Sequence, residues 1–355
     1  VNLRRIRLQN FRNIAAAEIE FSGSRSFLIG SNGQGKTNLL EALGYVSALR
    51  AFRPGGNRVL IREGENEAAL GYSFQHERLG TGEVTIRIRP KGKAVELDRS
   101  PVKRLSDLIG RFPTVLFASD DVQLVRGSPA LRRRFLDLHL ASLDAAYLDG
   151  LQRYFRALGQ RNRLLKSGAP ARELAAFEQQ LAPAAASLIR TRRAGLETLQ
   201  TGMQRFFAGL TAGADAATLE YRADVEGDSR DLLATWLRQR ERDARLKATE
   251  HGPHRDDWVL RIRGREAALF ASEGQQRALV LALRFAQLAD AREQSGLMPV
   301  VLADDVLGEL DPERRGRFWS LLDPEVQLLA TGTQIPDDDS AEWQQIRVKD
   351  GQFEV

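Results

Sequence analysis

Eight consecutive residues of this 355-residue chain have the types and spacing to hold a triphosphate. Gly30-Ser31-Asn32-Gly33-Gln34-Gly35-Lys36-Thr37 fits the pattern G-x-x-x-x-G-K-[ST] in full. The glycines let the backbone curl so that successive N–H groups point inward at phosphate oxygens. A helix leaving the loop adds the partial positive charge of its N-terminus. Lys36 is then placed to reach the β- and γ-phosphates, and the Thr37 hydroxyl to take one position on Mg²⁺. The flanks agree, because the apolar run Ser26-Phe27-Leu28-Ile29 leads in and Leu39, Leu40, Leu43 and Val46 then return at helical spacing.

A second group supplies carboxylates. Val300-Val301-Leu302-Ala303-Asp304-Asp305 reads as an apolar strand with two acids at its tip. Asp304 is placed to hold Mg²⁺, directly or through a water, and Asp305 to orient or deprotonate an attacking water. Alone such a strand says little; after a phosphate loop in the same chain it completes a catalytic set of Lys36, Asp304 and Asp305 for hydrolysis of ATP. Lys36 and Asp304 stand about 268 positions apart, far more than one βαβ unit of roughly 30 residues. One nucleotide-binding core must therefore be split by a large insertion.

A third group points to a second subunit. Phe270-Ala271-Ser272-Glu273-Gly274-Gln275-Gln276 is close to the S-G-G-Q signature of ATP-binding-cassette ATPases, with Glu273 where glycine is usual. A helix starting at Ser272, Glu273, Gly274 and Gln275 offers a hydroxyl, a bare N–H and a dipole to a further anion. A chain with its own phosphate loop has a use for that if the helix closes over nucleotide on a partner, making an ATP-dependent homodimer with composite sites. The same residues also suit an ordinary helix cap. Gly308-Glu309-Leu310-Asp311 resembles the D-loop of this class, with Asp311 either at a subunit interface or capping the helix that Pro312 starts. Thr331-Gly332-Thr333 stands where transporter ATPases carry a switch histidine, and Gln123 is the candidate Q-loop glutamine.

The elements that must position these groups fall into three stretches. Residues 1–121 read as a strand-rich lobe, with alternation over Arg4 to Leu8, Ala17 to Phe21 and Glu83 to Arg89, and a buried strand at Thr114 to Phe117. Residues 122–250 read as a helical arm. Leu131, Phe135, Leu138, Leu151, Phe155 and Leu158 mark one helical run, and Leu174 through Phe206 a longer one. Ser167-Gly168-Ala169-Pro170 makes the turn between them, and Pro183 is expected to kink or break the second. From 251 to 355 strand and helix alternate again, with strands at Trp258 to Ile262, Pro299 to Ala303, Val326 to Ala330 and Ile346 to Lys349, and a helix from Gln275 to Arg292. Asp337-Asp338-Asp339 reads as a surface loop.

Charge narrows the partners. The chain carries 52 basic and 47 acidic residues, and 45 of the basic ones are arginine. Residues 122–250 hold 21 basic and 15 acidic residues, a local excess of 6. That excess is either a solvated helix face or a surface that tracks phosphates. Without interleaved aromatics, contact to duplex phosphates fits Arg153, Arg156, Arg161, Arg163, Arg190, Arg192 and Arg193 better than base stacking. Arg132, Arg133 and Arg134 are successive on a helix and cannot share one face. His251 and His254 are separated by Gly252-Pro253, lack a third ligand and read as structural. There is no cysteine, no signal-peptide pattern and no apolar run near the roughly 20 residues of a membrane span, so a cytoplasmic protein is expected, nucleoid-associated where the basic arm meets duplex.

Further blocks resemble one family along nearly the whole chain: RecF, the bacterial recombination-mediator ATPases related to SMC proteins. These blocks are Leu8-Gln9-Asn10-Phe11-Arg12-Asn13, the loop-to-helix run from Gly33 to Ala42, and Arg50-Ala51-Phe52-Arg53. Gly127-Ser128-Pro129, Arg132 to Asp137, and Gly252-Pro253-His254-Arg255-Asp256-Asp257 complete the set. The resemblance implies an α/β fold, an SMC-like ABC-type P-loop ATPase head with mixed sheet, split by the helical arm. It also implies Arg12, Asn13 and Asn38 near the nucleotide, and weak ATP hydrolysis, stimulated by DNA, as a conformational timer. Double-stranded DNA and single-strand/duplex junctions are the implied ligands, with RecR a partner and RecO and RecA acting alongside. A transporter ATPase subunit, or another SMC-like tether, shares the nucleotide motifs. The switch threonine and the basic arm argue against the first, and an insertion of about 130 residues is too short for the long rod of the second.

Overall fold

The computed structural model of the chain describes residues 1–53, 55–78, 80–211, 213, 216–335 and 342–355; Asp337 to Asp339 lie outside them. Three sheets organise it. A parallel core sheet has the order β15-β14-β3-β13-β12-β8, built from β3 (Arg25–Ile29), β8 (Thr114–Ala118), β12 (Val300–Asp304), β13 (Leu328–Gly332), β14 (Gln344–Lys349) and β15 (Gln352–Glu354). Only the β14–β15 hairpin is antiparallel, so the other strands carry their C-terminal ends to one edge.

Adjacent core-strand residues point to opposite faces. Val301, Ala303, Leu328, Ala330 and Phe27 pack into one apolar core, while Val300, Leu302, Leu329 and Leu28 pack into another. A parallel sheet buried on both faces explains why its strands read as continuous apolar runs.

One face meets α1 (Lys36–Ala48) and an antiparallel sheet of order β2-β1-β4-β5-β6-β7. Its strands are β1 (Asn2–Phe11), β2 (Ile14–Glu20), β4 (Ala68–His76), β5 (Gly80–Arg89), β6 (Gly92–Leu97) and β7 (Ser100–Pro101). Buried Gln327 ties the two sheets, accepting from Leu3 N at 2.7 Å and donating to Leu3 O at 2.8 Å. The other face meets α8 (Glu273–Ser295) and the far half of α5 (Ala171–Thr211). A Cβ at Gly202 would lie 3.0 Å from that of Ala286, so glycine permits this close approach of α5 to α8.

Short helices α2 (Gln123–Arg126), α7 (Ala267–Phe270) and α9 (Val306–Glu309) join the larger elements, and α10 (Pro312–Leu321) follows α9. Within 122–250 lie α3 (Pro129–Leu143), α4 (Ala145–Ser167), α5, β9 (Ala217–Arg222) and α6 (Ser229–Leu246). The run expected from Leu131 to Leu158 is two helices: Asp144 turns extended, and its carboxylate accepts from Ala146 N at 2.7 Å to cap α4. Gly168, at φ +69°, ends α4 before α5 turns back. α5 is not broken at Pro183 but runs through it. Leu181, Ala182, Ala185 and Ala186 are all buried there, and that packing outweighs one missing backbone hydrogen bond. β9 pairs with β10 (Asp257–Ile262), which also carries β11 (Arg265–Glu266), so a small sheet joins residues on both sides of position 250.

Two of the arginines expected to meet DNA lie in the interior. Arg161 is fully buried; its Nη1 donates to Asp243 at 2.8 Å and to Thr249 at 2.6 Å, and its Nη2 to Glu178 at 3.0 Å. Arg192 clasps Asp137 through two bonds of 2.8 and 2.9 Å and donates to Pro253 O at 2.5 Å. Neither guanidinium reaches a surface where phosphate could meet it. Arg153, Arg156, Arg163 and Arg190 are exposed, and Arg193 is exposed but paired with Glu226 at 2.7 Å. Arg132, Arg133 and Arg134 point apart, to Asp257, to the Asp256 carbonyl and to the carbonyls of residues 51–53. His254 accepts from Tyr154 Oη at Nδ1 and donates from Nε2 to Thr249 O, while His251 meets Asp224.

Adjacent residues should therefore respond oppositely. Arg192→Leu strands buried carboxylates and is expected to destabilise the chain by roughly 3–5 kcal/mol in denaturant unfolding. Arg193→Ala removes a surface pair and should change stability by under about 0.5 kcal/mol.

Candidate nucleotide site

The phosphate loop leaves β3 at Gly30, where no side chain fits: a Cβ there would stand 2.4 Å from Val348 O. Gly33 (φ +81°) and Gly35 (φ +114°) take left-handed conformations, which curl the loop into a concave run of N–H groups ending at α1. Ser31, Asn32 and Gly33 are exposed, whereas Lys36 is buried and its ammonium donates to Gly30 O at 2.6 Å and Ser31 O at 3.1 Å. Asn38 donates through Nδ2 to Asn13 Oδ1 at 2.7 Å, which places Asn13 against the loop's exit.

Across the sheet, Asp304 ends β12. Its Oδ1 accepts from Thr37 Oγ1 at 3.0 Å and from Thr331 Oγ1 at 2.9 Å. The Thr331 hydroxyl also accepts from Asp305 N at 3.0 Å. One threonine at the end of β13 thus fixes both carboxylate residues. Asp305 holds φ +56°, a left-handed conformation that costs a non-glycine residue about 1–2 kcal/mol. Burial pushes the Asp304 carboxyl above the usual carboxylate range and neighbouring Asp305 adds to this; the threonine hydroxyls and Arg53 pull the other way.

These groups fit Mg²⁺. A hydroxyl and a carboxylate oxygen are hard donors, and the carboxylate is a withdrawn anion whose charge a cation would match. Among the described residues no group of three or more His, Cys, Asp or Glu could hold a metal, so phosphate and water would complete the coordination. Beside Thr37, Asp304 and Asp305 opens a cavity of about 570 Å³ that Gln123, Arg50 and Arg134 also line.

The chain's other chemistry surrounds this pair. Arg12 (φ +55°) donates to Glu41 at 2.8 Å, and Arg53 donates to the same carboxylate. Glu41 is fully buried, so two guanidiniums share one interior anion against α1. A single acid within the apolar run Leu39 to Val46, between basic blocks at 12 and 53, was the available sequence signal for it. Thr331 stands at the switch position in the sequence, and the pairing of β13 with β12 is what puts its hydroxyl at the acidic tip.

Ser272 caps α8. Its Oγ accepts from Gln275 N at 3.2 Å while Gln275 Oε1 accepts from Ser272 N at 2.9 Å, a reciprocal capping box. Glu273 meets Arg277 at 3.1 Å, and Arg277 also pairs with Glu309 of α9, which joins the signature helix to the D-loop segment. Asp311 caps α10, accepting from Arg314 N at 2.9 Å. Arg314 lies over Gly274, where a Cβ would stand 2.5 Å from its Nη2. Just before the cap, Leu269 and Phe270 are 73% and 57% exposed.

The model of the RecF/RecN/SMC N terminal domain matches residues 2–334. RecF DNA replication and repair proteins are similar over nearly their whole length. That of Exiguobacterium sp. is 36% identical over 347 residues, 94% of this chain and 93% of its own. That of Symbiobacterium thermophilum is 36% identical over 349 residues, 95% and 93%. The chain belongs to the RecF family. Its fold is accordingly the SMC-like ABC-type ATPase head, and the family is an ATP-binding one. A solved structure of the recombination mediator protein RecF with ATP, of the RecFOR pathway, superposes on it with a TM-score of 0.89 at 26% identity, covering 99% of this chain and 96% of that one. An Smc head bound to the C-winged helix domain of ScpA shares the fold alone, at TM-score 0.54 and 16% identity.

The raised value of the Asp304 carboxyl has a checkable consequence. The charged form is the disfavoured one in the fold, so the penalty is full above the raised value and vanishes as pH falls below the ordinary carboxylate value. Asp304→Asn keeps both threonine contacts and removes that charge. Without nucleotide it should melt a few degrees higher than wild type at neutral pH, and the gain should disappear on acidification, as read by thermal unfolding across pH.

Proposed function

We propose that this chain is an ATP-dependent DNA-binding protein of recombinational repair and replication restart, dimerising on ATP–Mg²⁺ and resetting by slow hydrolysis. The contact of Thr37 with Asp304 carries the proposal, because it joins at 3.0 Å two motifs 267 residues apart that have a joint use only around a nucleotide's phosphates. In this reading the N–H groups of residues 31–37 wrap the phosphates and Lys36 offsets their charge. Thr37 and Asp304 hold Mg²⁺, which when bound neutralises charge on the β- and γ-oxygens. Asp305 orients the attacking water, and Thr331 keeps both carboxylates in register. Arg12, Asn13 and Asn38 border the same nucleotide.

The signature set Ser272, Glu273, Gly274, Gln275, together with Asp311, acts on the nucleotide of the second copy. The exposed Leu269 and Phe270 support this face as one that becomes covered, since large apolar side chains presented side by side favour burial. The head is taken as residues 1–121 and 251–355 around the arm segment 122–250. Duplex and junction DNA would lie along the exposed Arg153, Arg156, Arg163, Arg190 and Arg193, held through phosphates. RecR is the proposed partner and RecO acts with it, in keeping with the RecFOR pathway of the solved relative, and RecA loading downstream completes the proposal. Among the described residues no helix is long and apolar enough to cross a membrane.

Sedimentation velocity tests the reading. ATP–Mg²⁺ should convert wild type from monomer to dimer, and a short duplex should co-sediment with the dimer. Ser272→Arg should bind ATP yet stay monomeric, and Lys36→Ala should lose nucleotide and dimer together. Asp305→Asn should dimerise and turn over at least about tenfold more slowly. A wild-type monomer under every condition would overturn the composite site, and unchanged turnover in Asp305→Asn would remove that residue from the chemistry.

A further inference from the structure

The phosphate loop is held from outside by a segment that no motif marks. The hairpin of β14 and β15 turns at Asp350 and Gly351, both left-handed at φ +50° and +75°. That turn donates two hydrogen bonds to one residue of the loop: Asp350 N to Gln34 Oε1 at 2.7 Å and Gly351 N to Gln34 O at 2.8 Å. Two close approaches accompany them. A Cβ at Gly351 would stand 2.9 Å from Asn13 O, and the Gly351 Cα lies 3.5 Å from where a Cβ on Gly35 would be. Upstream in the hairpin, Val348 O excludes any side chain at Gly30. The strand that enters the loop, the middle of the loop and its last glycine are thus all touched by one hairpin.

We infer that the Asp350–Gly351 turn is a positioning element for nucleotide binding, one that holds the Gln34 peptide so that the N–H groups following it face the phosphates. The inference rests on the phosphate-loop reading above. A loop with alternating left-handed glycines has many accessible conformations, and only one aims its donors at a common point. Tying the Gln34 carbonyl outward selects it before nucleotide arrives, which raises affinity by reducing the ordering required on binding. Two positive φ values in succession give the turn its tight form, and Gly351 is the residue that can sit beneath Asn13 there.

The test compares nucleotide affinity with stability in the full chain, using a fluorescent ATP analogue with Mg²⁺ and thermal unfolding without nucleotide. Gln34→Met removes the side-chain acceptor and leaves the backbone torsions alone; it should weaken binding roughly fivefold, the worth of about one hydrogen bond. Gly351→Ala should weaken it at least as much, and the double variant should lose less than the product of the two, because both act through one brace. Phe353→Ala loosens the same hairpin away from the turn. It should lower the melting temperature while leaving affinity of the folded chain within about twofold. Should Gly351→Ala not fold, Gln34→Met decides the matter alone. Affinity in Gln34→Met equal to wild type, or lost equally in Phe353→Ala, would reduce the hairpin to a structural role. Failure of wild type to bind the analogue would instead overturn the nucleotide site itself.

Discussion

One carboxylate oxygen, Oδ1 of Asp304, takes hydroxyls from both Thr37 and Thr331, and the architecture can be read as what that junction demands. Three strand tips must coincide, which only parallel strands with one common register achieve. β3, β13 and β12 are neighbours in that order, with Gly332 beside Ile29 and Ala303 beside Ala330. Their spacing along the chain forces long crossovers, and these form the layers covering the sheet. Each strand then divides its residues between two cores, so the same alternation that buries the sheet also fixes which way its end points. A one-residue slip of β12 would turn Asp304 from the loop and Val301 from its core together. Burial of the sheet and alignment of the site are therefore the same constraint.

Whether a feature could be read in the sequence depended on whether its partners were close along the chain. The phosphate loop is legible because its flanking strand and helix lie within a dozen residues and its glycines are dictated by backbone geometry. The Ser272 cap is legible for the same reason, its box closing over three positions. Arg161 and Arg192 show what composition misses. By composition both read as surface charge, although they fall on the apolar stripes of their helices: Leu151, Tyr154, Leu158, Arg161 and Leu165 on α4, and Leu188, Arg192, Leu196 and Leu199 on α5. Spacing at threes and fours already placed them inward; their carboxylate partners, 17 to 82 residues away, were what the sequence could not show. The contacts that brace the site are more distant still, since Asp350 lies 316 positions from Gln34.

Those interior arginines matter to the arm for reasons other than charge. A buried ion pair recovers its desolvation cost only when every donor is matched, and here the donors reach several elements at once. Arg192, on α5, clasps Asp137 of α3 and the Pro253 carbonyl that precedes β10, while Arg161, on α4, meets α5, α6 and the chain beyond it. Apolar packing would tolerate small sliding of these helices; a bidentate guanidinium does not. The network therefore fixes how α3, α4, α5 and α6 sit on one another, and Arg192 ties them to the chain before β10, a specification that a Leu in either place would lack.

It also leaves the segment's electrostatics on the surface. Among the described residues of 122–250 the buried charges are Arg132, Arg161 and Arg192 against Asp137, Glu178 and Asp243, three of each sign. The interior is neutral, so the basic excess of the described residues, 21 basic against 14 acidic, lies on side chains with some access to water. Burying three arginines has not reduced the field that a polyanion would meet, because the fold withdrew three carboxylates with them. Attraction of that kind is collective and screened beyond about 8–10 Å at ordinary salt, so it depends on the total and spacing of exposed guanidiniums more than on any one of them. On the proposed reading, Arg153, Arg156, Arg163 and Arg190 would each contribute modestly while the segment as a whole attracted a polyanion to its surface.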